Sequence, residues 1–263
     1  LVLVCYVIHN FMSFLPPPPS SAVNLIDREA LRLEAVTVCM GFDDILDETL
    51  KLNMPQLDTM IVVTSHEDNK TQAVARKHGA LLAITDLHQK NGRNFNKGAA
   101  INAGFNYFQY HGWRMHIDAD IAFPNNFRRL LFNHHSLDRD CIYGADRVDV
   151  IGMKELEVAS ATQQHQHGCI VHSRLQRPVG ARFVDNLHGY VPLGYFQLWH
   201  CTCQQPYPYS LGTAAHDDVM FAVRWPESQR RLLPGFFVHH IAEREPRWSE
   251  NWDGHRRQPR LKK

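Results

Sequence analysis

Trp113-Arg114-Met115-His116-Ile117-Asp118-Ala119-Asp120 is the stretch on which the fold turns. Trp113–Ile117 is an apolar run of strand length that ends on two carboxylates one residue apart. A run this apolar reads as a strand buried on both faces, the mark of a parallel sheet covered by helices. Ligands of such sheets bind beyond the carboxyl ends of the strands, which is where Asp118 and Asp120 fall. Two neighbouring carboxylates repel unless a cation or hydrogen bonds offset them. Hard divalent cations such as Mg²⁺ and Mn²⁺ take oxygen ligands and bridge to phosphates. With 17 Asp in 263 residues, about one Asp-x-Asp pair arises by chance. The second such pair, Asp138-Arg139-Asp140, follows no strand and reads as a solvated turn.

Upstream, strands and helices alternate. A helical stretch Ala22–Leu33 precedes a β-branched strand at Val36–Cys39, and Phe42–Leu52 carries apolar residues at helical spacing. Thr59–Thr64 is a second strand, Lys70–His78 a helix with Gly79 as its stop, and Ala80–Thr85 a third strand. Gly98–Gln109 is a helix with small residues on one side, leading into Trp113–Ile117. This alternation predicts an α/β fold with a mostly parallel central sheet and helices on both faces. Downstream the pattern loosens. Phe127–His134 reads as a helix, Cys141–Ala145 as a strand, Asp217–Trp225 as a helix and Phe236–Ile241 as a last strand.

Composition narrows the function classes. Hydrophobic residues make up 44%, enough for a real core, and the net charge of +1 argues against a dedicated nucleic-acid scaffold. Six Cys in a chain of this length do not make a disulfide framework. Residues 1–23, with apolar Leu1–Leu15 ahead of Pro16–Pro19, read as a leader or linker, or as the remnant of an anchor. Residues 24–150 read as one α/β half, 151–254 as a second, looser half, and 255–263 as a basic tail. No apolar run is long enough to span a bilayer, so the expected location is the cytoplasm.

Phe95-Asn96-Lys97-Gly98-Ala99-Ala100-Ile101-Asn102-Ala103-Gly104-Phe105, followed by His116–Pro124 with its acidic pair, resembles the GT-A glycosyltransferases of the family 2 type. It is particularly similar to the β-1,4-galactosyltransferases, where Phe-Asn-Arg and Asn-x-Gly-Phe lead to Asp-x-Asp and a proline. Gly194-Tyr195-Phe196-Gln197, Tyr207-Pro208, His216-Asp217-Asp218, Val238-His239-His240 and Asn251–Arg256 extend the resemblance over roughly residues 35–257. Three departures stand out. Lys97 replaces an Arg, Tyr209–Ala215 replaces a Trp-Gly-rich loop, and His255 stands where Gly-Arg is expected.

The resemblance implies a GT-A fold and a metal-dependent enzyme that moves a sugar from a nucleotide-sugar donor, UDP-linked, to an acceptor hydroxyl. It implies Mn²⁺ or Mg²⁺ bound by Asp120, with Asp118 on the ribose or on the metal through water. His240 is the third ligand, with His239 as the alternative, because adjacent strand residues face opposite ways. Asp68 and Thr64 would line the nucleotide pocket, with Met40–Asp44 beside them, and Lys97 would pair with the diphosphate. The acceptor hydroxyl needs a base. Asp218 is preferred for its register with the apolar helix face beyond it, and Asp217 is second. Inversion is the expected outcome, with retention still open. The acceptor itself — glycan, lipid, protein or modified nucleic-acid base — stays undetermined. A nucleotidyltransferase acting on a sugar phosphate is the competing enzyme, but Cys39–Asp44 has one Gly and no base where a phosphate loop would need them. A non-catalytic carbohydrate- or nucleic-acid-binding module leaves the carboxylates and His240 unexplained. Cys169, His172, Cys201 and Cys203 offer a weaker zinc alternative at non-standard spacing.

Overall fold

A central β-sheet is built first from β1 (Leu33–Val38), β2 (Thr59–Thr64), β3 (Leu81–Ile84) and β4 (Trp113–Ile117). The computed structural model describes residues 31–87, 95–161, 183–185, 188–208, 214–242 and 260–261. These four strands lie in the order β3-β2-β1-β4, and all three pairings are parallel. Every residue of β2 is buried, as a strand covered on both faces requires. Glu34 is buried within β1 because its carboxylate accepts the backbone amides of Gln109 and Tyr110 at 2.8 and 3.0 Å.

The sheet continues through β9 (Phe196–His200), β6 (Ile142–Ile151), β10 (Arg230–Ala242) and β5 (Ile121–Ala122), giving eight strands in the order β3-β2-β1-β4-β9-β6-β10-β5. β9 runs antiparallel to both β4 and β6, while β6 and β10 are parallel. A separate ribbon pairs β7 (Phe183–Asp185) with β8 (Gly189–Val191). This is the α/β, mostly parallel central sheet expected from the sequence.

Helices cover both faces. Leu33, Ala35, Met60, Val62, Met115 and Ile117 pack with Leu46 and Leu50 of α1 (Asp43–Asn53), Ala75 of α2 (Asn69–His78) and Phe127 and Leu131 of α4 (Phe127–His134). The alternate residues Val36, Ile61 and Val63 pack with Ala100 and Ile101 of α3 (Lys97–Phe105) and Phe221 of α6 (Ala214–Ala222). Two interdigitated apolar layers arise from the two-residue period of the strands. A Cβ on Gly104 would fall 2.4 Å from Val36 and 2.8 Å from Val63, so the small-residue side of α3 lies directly on the sheet. Capping sets the helix ends: Asp68 accepts the Thr71 amide, Asn96 accepts the Ala99 amide, and Gly79 closes α2 at φ 74°.

Several bounds differ from the sequence reading. Leu33, expected at the end of a helix, opens β1, and the rest of Ala22–Leu33 up to residue 30 lies outside the described residues. The strand expected at Cys141–Ala145 runs on to Ile151, because Asp146, Arg147 and Asp149 interrupt its apolar period without breaking its pairing with β10. The last strand is thirteen residues long and bulged between Leu232 and Phe237. The helix expected from Asp217 begins at Ala214, which leaves Asp217 and Asp218 one turn inside it. A further helix, α5 (Gly152–Ala161), carries no clear sequence signal. Among the described residues no helix is long and apolar enough to cross a membrane.

Candidate active site

Asp118 follows the last residue of β4, at the carboxyl end of the parallel strands, and α3 and α6 aim two more charged side chains at it. Lys97, the first residue of α3, is only 6% exposed, yet its ammonium lies 2.8 Å from Asp118 Oδ1 and 3.0 Å from Asp218 Oδ2. Burial acts to lower the pKa of Lys97, but Asp118 and then Asp218 outweigh it, and the side chain stays charged. Burial likewise acts to raise Asp118, but Lys97 beside it holds its carboxyl below the ordinary value.

Asp218 is the other carboxylate on Lys97. Burial, reinforced by the charge of Asp118, pushes it up to about 6, with Lys97 and Tyr207 working against the rise. The Tyr207 hydroxyl lies 2.7 Å from Asp218 Oδ1 and 2.7 Å from Gln197 Oε1. The amide of Gln197 is fixed from its other side, where Nε2 donates to the Pro192 and Asp218 carbonyls at 2.8 and 3.0 Å. Burial raises Tyr207 well above 10, so the phenol keeps its proton. Gly194 makes room for the carboxylate, since a Cβ there would sit 2.1 Å from Asp218 Oδ2. Asp217 is fully buried one residue away.

A second group of charged residues lies around Asp120. Its Oδ2 is 3.2 Å from His240 Nε2, and His240 Nδ1 is 2.7 Å from Asp149 Oδ1. Burial acts to lower His240, but Asp120 and Asp149 bring it up to about 9. His239 is buried in β10 and 1% exposed, and His240 is the histidine that meets Asp120. His116, fully buried one residue before the end of β4, is pushed down to about 3 by burial and then by Lys97, so it is neutral.

Asp68 and Thr64 lie at the ends of β2 and α2 rather than beside Asp118. Asp68 Oδ2 accepts the Gly41 amide at 2.7 Å and the Thr64 and Thr71 hydroxyls at 3.3 and 2.7 Å. These bonds lock the turn after β1 to the start of α2. Lys97, expected on a diphosphate, bridges two carboxylates.

The structure brings together Lys97, Asp118 and Asp218 in one cluster and Asp120 with His240 in another. Sequence reasoning missed Asp149, Tyr207, Gln197 and His116. Tyr207 and Gln197 belong to stretches that carried the resemblance, but nothing in their spacing gave them a role. Asp149 was hidden by the charged interruption of its strand. Among the described residues no three His, Cys, Asp or Glu side chains converge as a ready metal cage. Cys201 and Cys203 sit in a 3₁₀ turn, while Cys169 and His172 lie outside the described residues. So do Tyr209–Leu211 and Asn251–Arg256. A surface hollow lined by Leu31, Gln56, Asn126 and Arg128 lies at the amino ends of β1 and β2, away from these clusters.

No family model and no curated protein matches the chain. Solved structures do. Glucosyl-3-phosphoglycerate synthase from Mycobacterium tuberculosis, in complex with Mn²⁺, UDP-glucose and phosphoglyceric acid, is 16% identical over 86% of this chain and 77% of that one, with a TM-score of 0.48. A mycobacterial protein is 17% identical over 51% of this chain and 47% of that one, with a TM-score of 0.37. Mannosyl-3-phosphoglycerate synthase from Rubrobacter xylanophilus is 24% identical over 49% of this chain and 44% of that one, with a TM-score of 0.34. The chain spans less than half the length of the last two.

Proposed function

We propose that the chain is a metal-dependent glycosyltransferase that moves a sugar from a nucleotide-sugar, UDP-linked, to an acceptor hydroxyl with inversion. One observation carries the reading: Lys97 ties Asp118, at the rim of the parallel strands, to a buried carboxylate, Asp218, whose pKa is lifted to about 6. A carboxylate ionised at neutral pH but close to its pKa suits a general base. Residues 24–150 supply the donor side and 151–254 the acceptor side.

The residues near Asp120 fit a divalent cation by chemistry. Asp120 Oδ1 is buried with no hydrogen-bond partner among the described residues, and His240 is backed by a carboxylate, as metal-bound histidines are. Asp120 and His240 would hold Mn²⁺ or Mg²⁺ once their mutual contact opens, with Asp118 nearby. The cation would offset charge growing on the diphosphate as the sugar leaves. Asp218 accepts the proton of the acceptor hydroxyl as its oxygen bonds to the anomeric carbon and the bond to the diphosphate breaks. Lys97 holds Asp218 in place and favours its ionised form.

A panel of nucleotide-sugars with and without Mn²⁺, read by thermal shift and by hydrolysis, tests the proposal. A ligand that binds only the folded chain raises its stability by mass action. A metal-dependent shift with one donor supports the reading, and no shift with any donor overturns it.

A further inference from the structure

Tyr207 has one hydroxyl proton and two close acceptors. Asp218 Oδ1 and Gln197 Oε1 each lie 2.7 Å from its oxygen, and His116 Nδ1 lies at 3.4 Å. Gln197 cannot turn to offer an N–H, because its Nε2 is committed to two backbone carbonyls. A lone proton facing two oxygens satisfies one of them at a time. With Asp218 ionised, the phenol donates to the carboxylate. With Asp218 protonated on Oδ1, the acid donates to the phenol oxygen, and the phenol donates to Gln197. The hydrogen bond between Asp218 and Tyr207 is kept in both states, and the carboxyl group does not have to move between them.

We infer that Tyr207, backed by Gln197, is a positioning residue that holds the Asp218 carboxyl group in one place through both of its protonation states. The inference rests on the transferase reading and adds the support its base requires. In that step the acceptor O–H proton passes to Asp218, the acceptor oxygen bonds to the anomeric carbon, and the diphosphate leaves with the electron pair of the broken bond. Tyr207 gains and loses no proton; its O–H turns from Asp218 to Gln197. The groups facing Asp218 are Lys97 from α3, Asp118 from the end of β4, Tyr207 with His116 behind it, and Asp217 on its own helix. Of these, Lys97 and Tyr207 favour the ionised carboxylate, and Asp118 opposes it. The ring itself is a packing element, stacked on Phe221 with centroids 4.3 Å apart, so removing the hydroxyl alone leaves that contact in place.

The test is Tyr207→Phe, alone and on an Asp218→Asn background, assayed with the donor that the panel identifies. Expected is a fall in kcat of about 10–100-fold, the worth of a hydrogen bond to a charged group, with donor KM unchanged. The acid limb of the kcat profile moves to higher pH, because the carboxylate has lost a donor. On the Asp218→Asn background Tyr207→Phe causes no further loss. Equal losses on both backgrounds, an unmoved acid limb, or failure of Tyr207→Phe to fold each overturn the positioning role while leaving the transferase reading intact. A wild-type chain that turns over no nucleotide-sugar overturns both.

Discussion

The Asp149 carboxylate holds Nδ1 of His240 at 2.7 Å across the parallel pairing of β6 and β10, where the two residues are register partners. That contact fixes the ring and turns Nε2 toward Asp120. Asp149→Ala is therefore expected to weaken Mn²⁺ binding by about 10–100-fold, as loss of a carboxylate behind a metal-binding histidine does elsewhere. Calorimetric titration of Mn²⁺ into the donor-free protein measures it. Unchanged affinity would remove His240 from the proposed ligand set.

Asp218→Asn keeps the size of the side chain and removes its basicity. Donor binding, read as a nucleotide-sugar thermal shift, is expected to persist while transfer falls by at least about 100-fold. Retained turnover would move the base to Asp217.

Gly194→Ala places a methyl where the Asp218 carboxylate now sits. The variant is expected to lose about 1–3 kcal/mol of stability, the cost of overpacking, and most of its activity. Denaturant unfolding and a turnover assay together check this. An active, fully stable variant would show that Asp218 has freedom to shift.

Asp58 makes stability depend on acid. Burial acts to raise its carboxyl, but the Leu33 amide, Arg128 and Arg32 outweigh it and hold it below 3.8. A carboxyl lowered by folding contributes stability above its unfolded pKa, and that contribution fades as pH falls through the folded value. Asp58→Asn should cost about 1–3 kcal/mol near neutrality, with the gap to wild type closing below 3.8. Unfolding midpoints measured from about pH 7 down to about pH 2 decide it. A gap that stays constant across the range would assign the loss to packing instead.

The parallel half of the sheet was legible because its signals are local. Thr59–Thr64 and Trp113–Ile117 are continuous apolar runs, and both strands fall on those residues. Asp118, Asp120, Asp218 and His240 were legible through motif order. The supporting residues were not, because their roles arise from contacts that no local sequence period marks. Tyr207 meets Asp218 only because the loop after β9 passes beneath α6, and Asp149 meets His240 only through a pairing spanning 91 residues. Lys97 shows the opposite failure. Its motif position was readable, but its partner was not, since only the fold brings Asp218 within 3.0 Å of it.

β9, threaded antiparallel between β4 and β6, joins the parallel half of the sheet to the β6–β10 pair through backbone hydrogen bonds on both of its edges. No hinge can open along that seam without tearing hydrogen bonds. In the proposed transferase, substrate entry and product exit would therefore fall to the loops at the rim, and an engineer cannot trade one half for that of a cousin as though they were detachable cartridges.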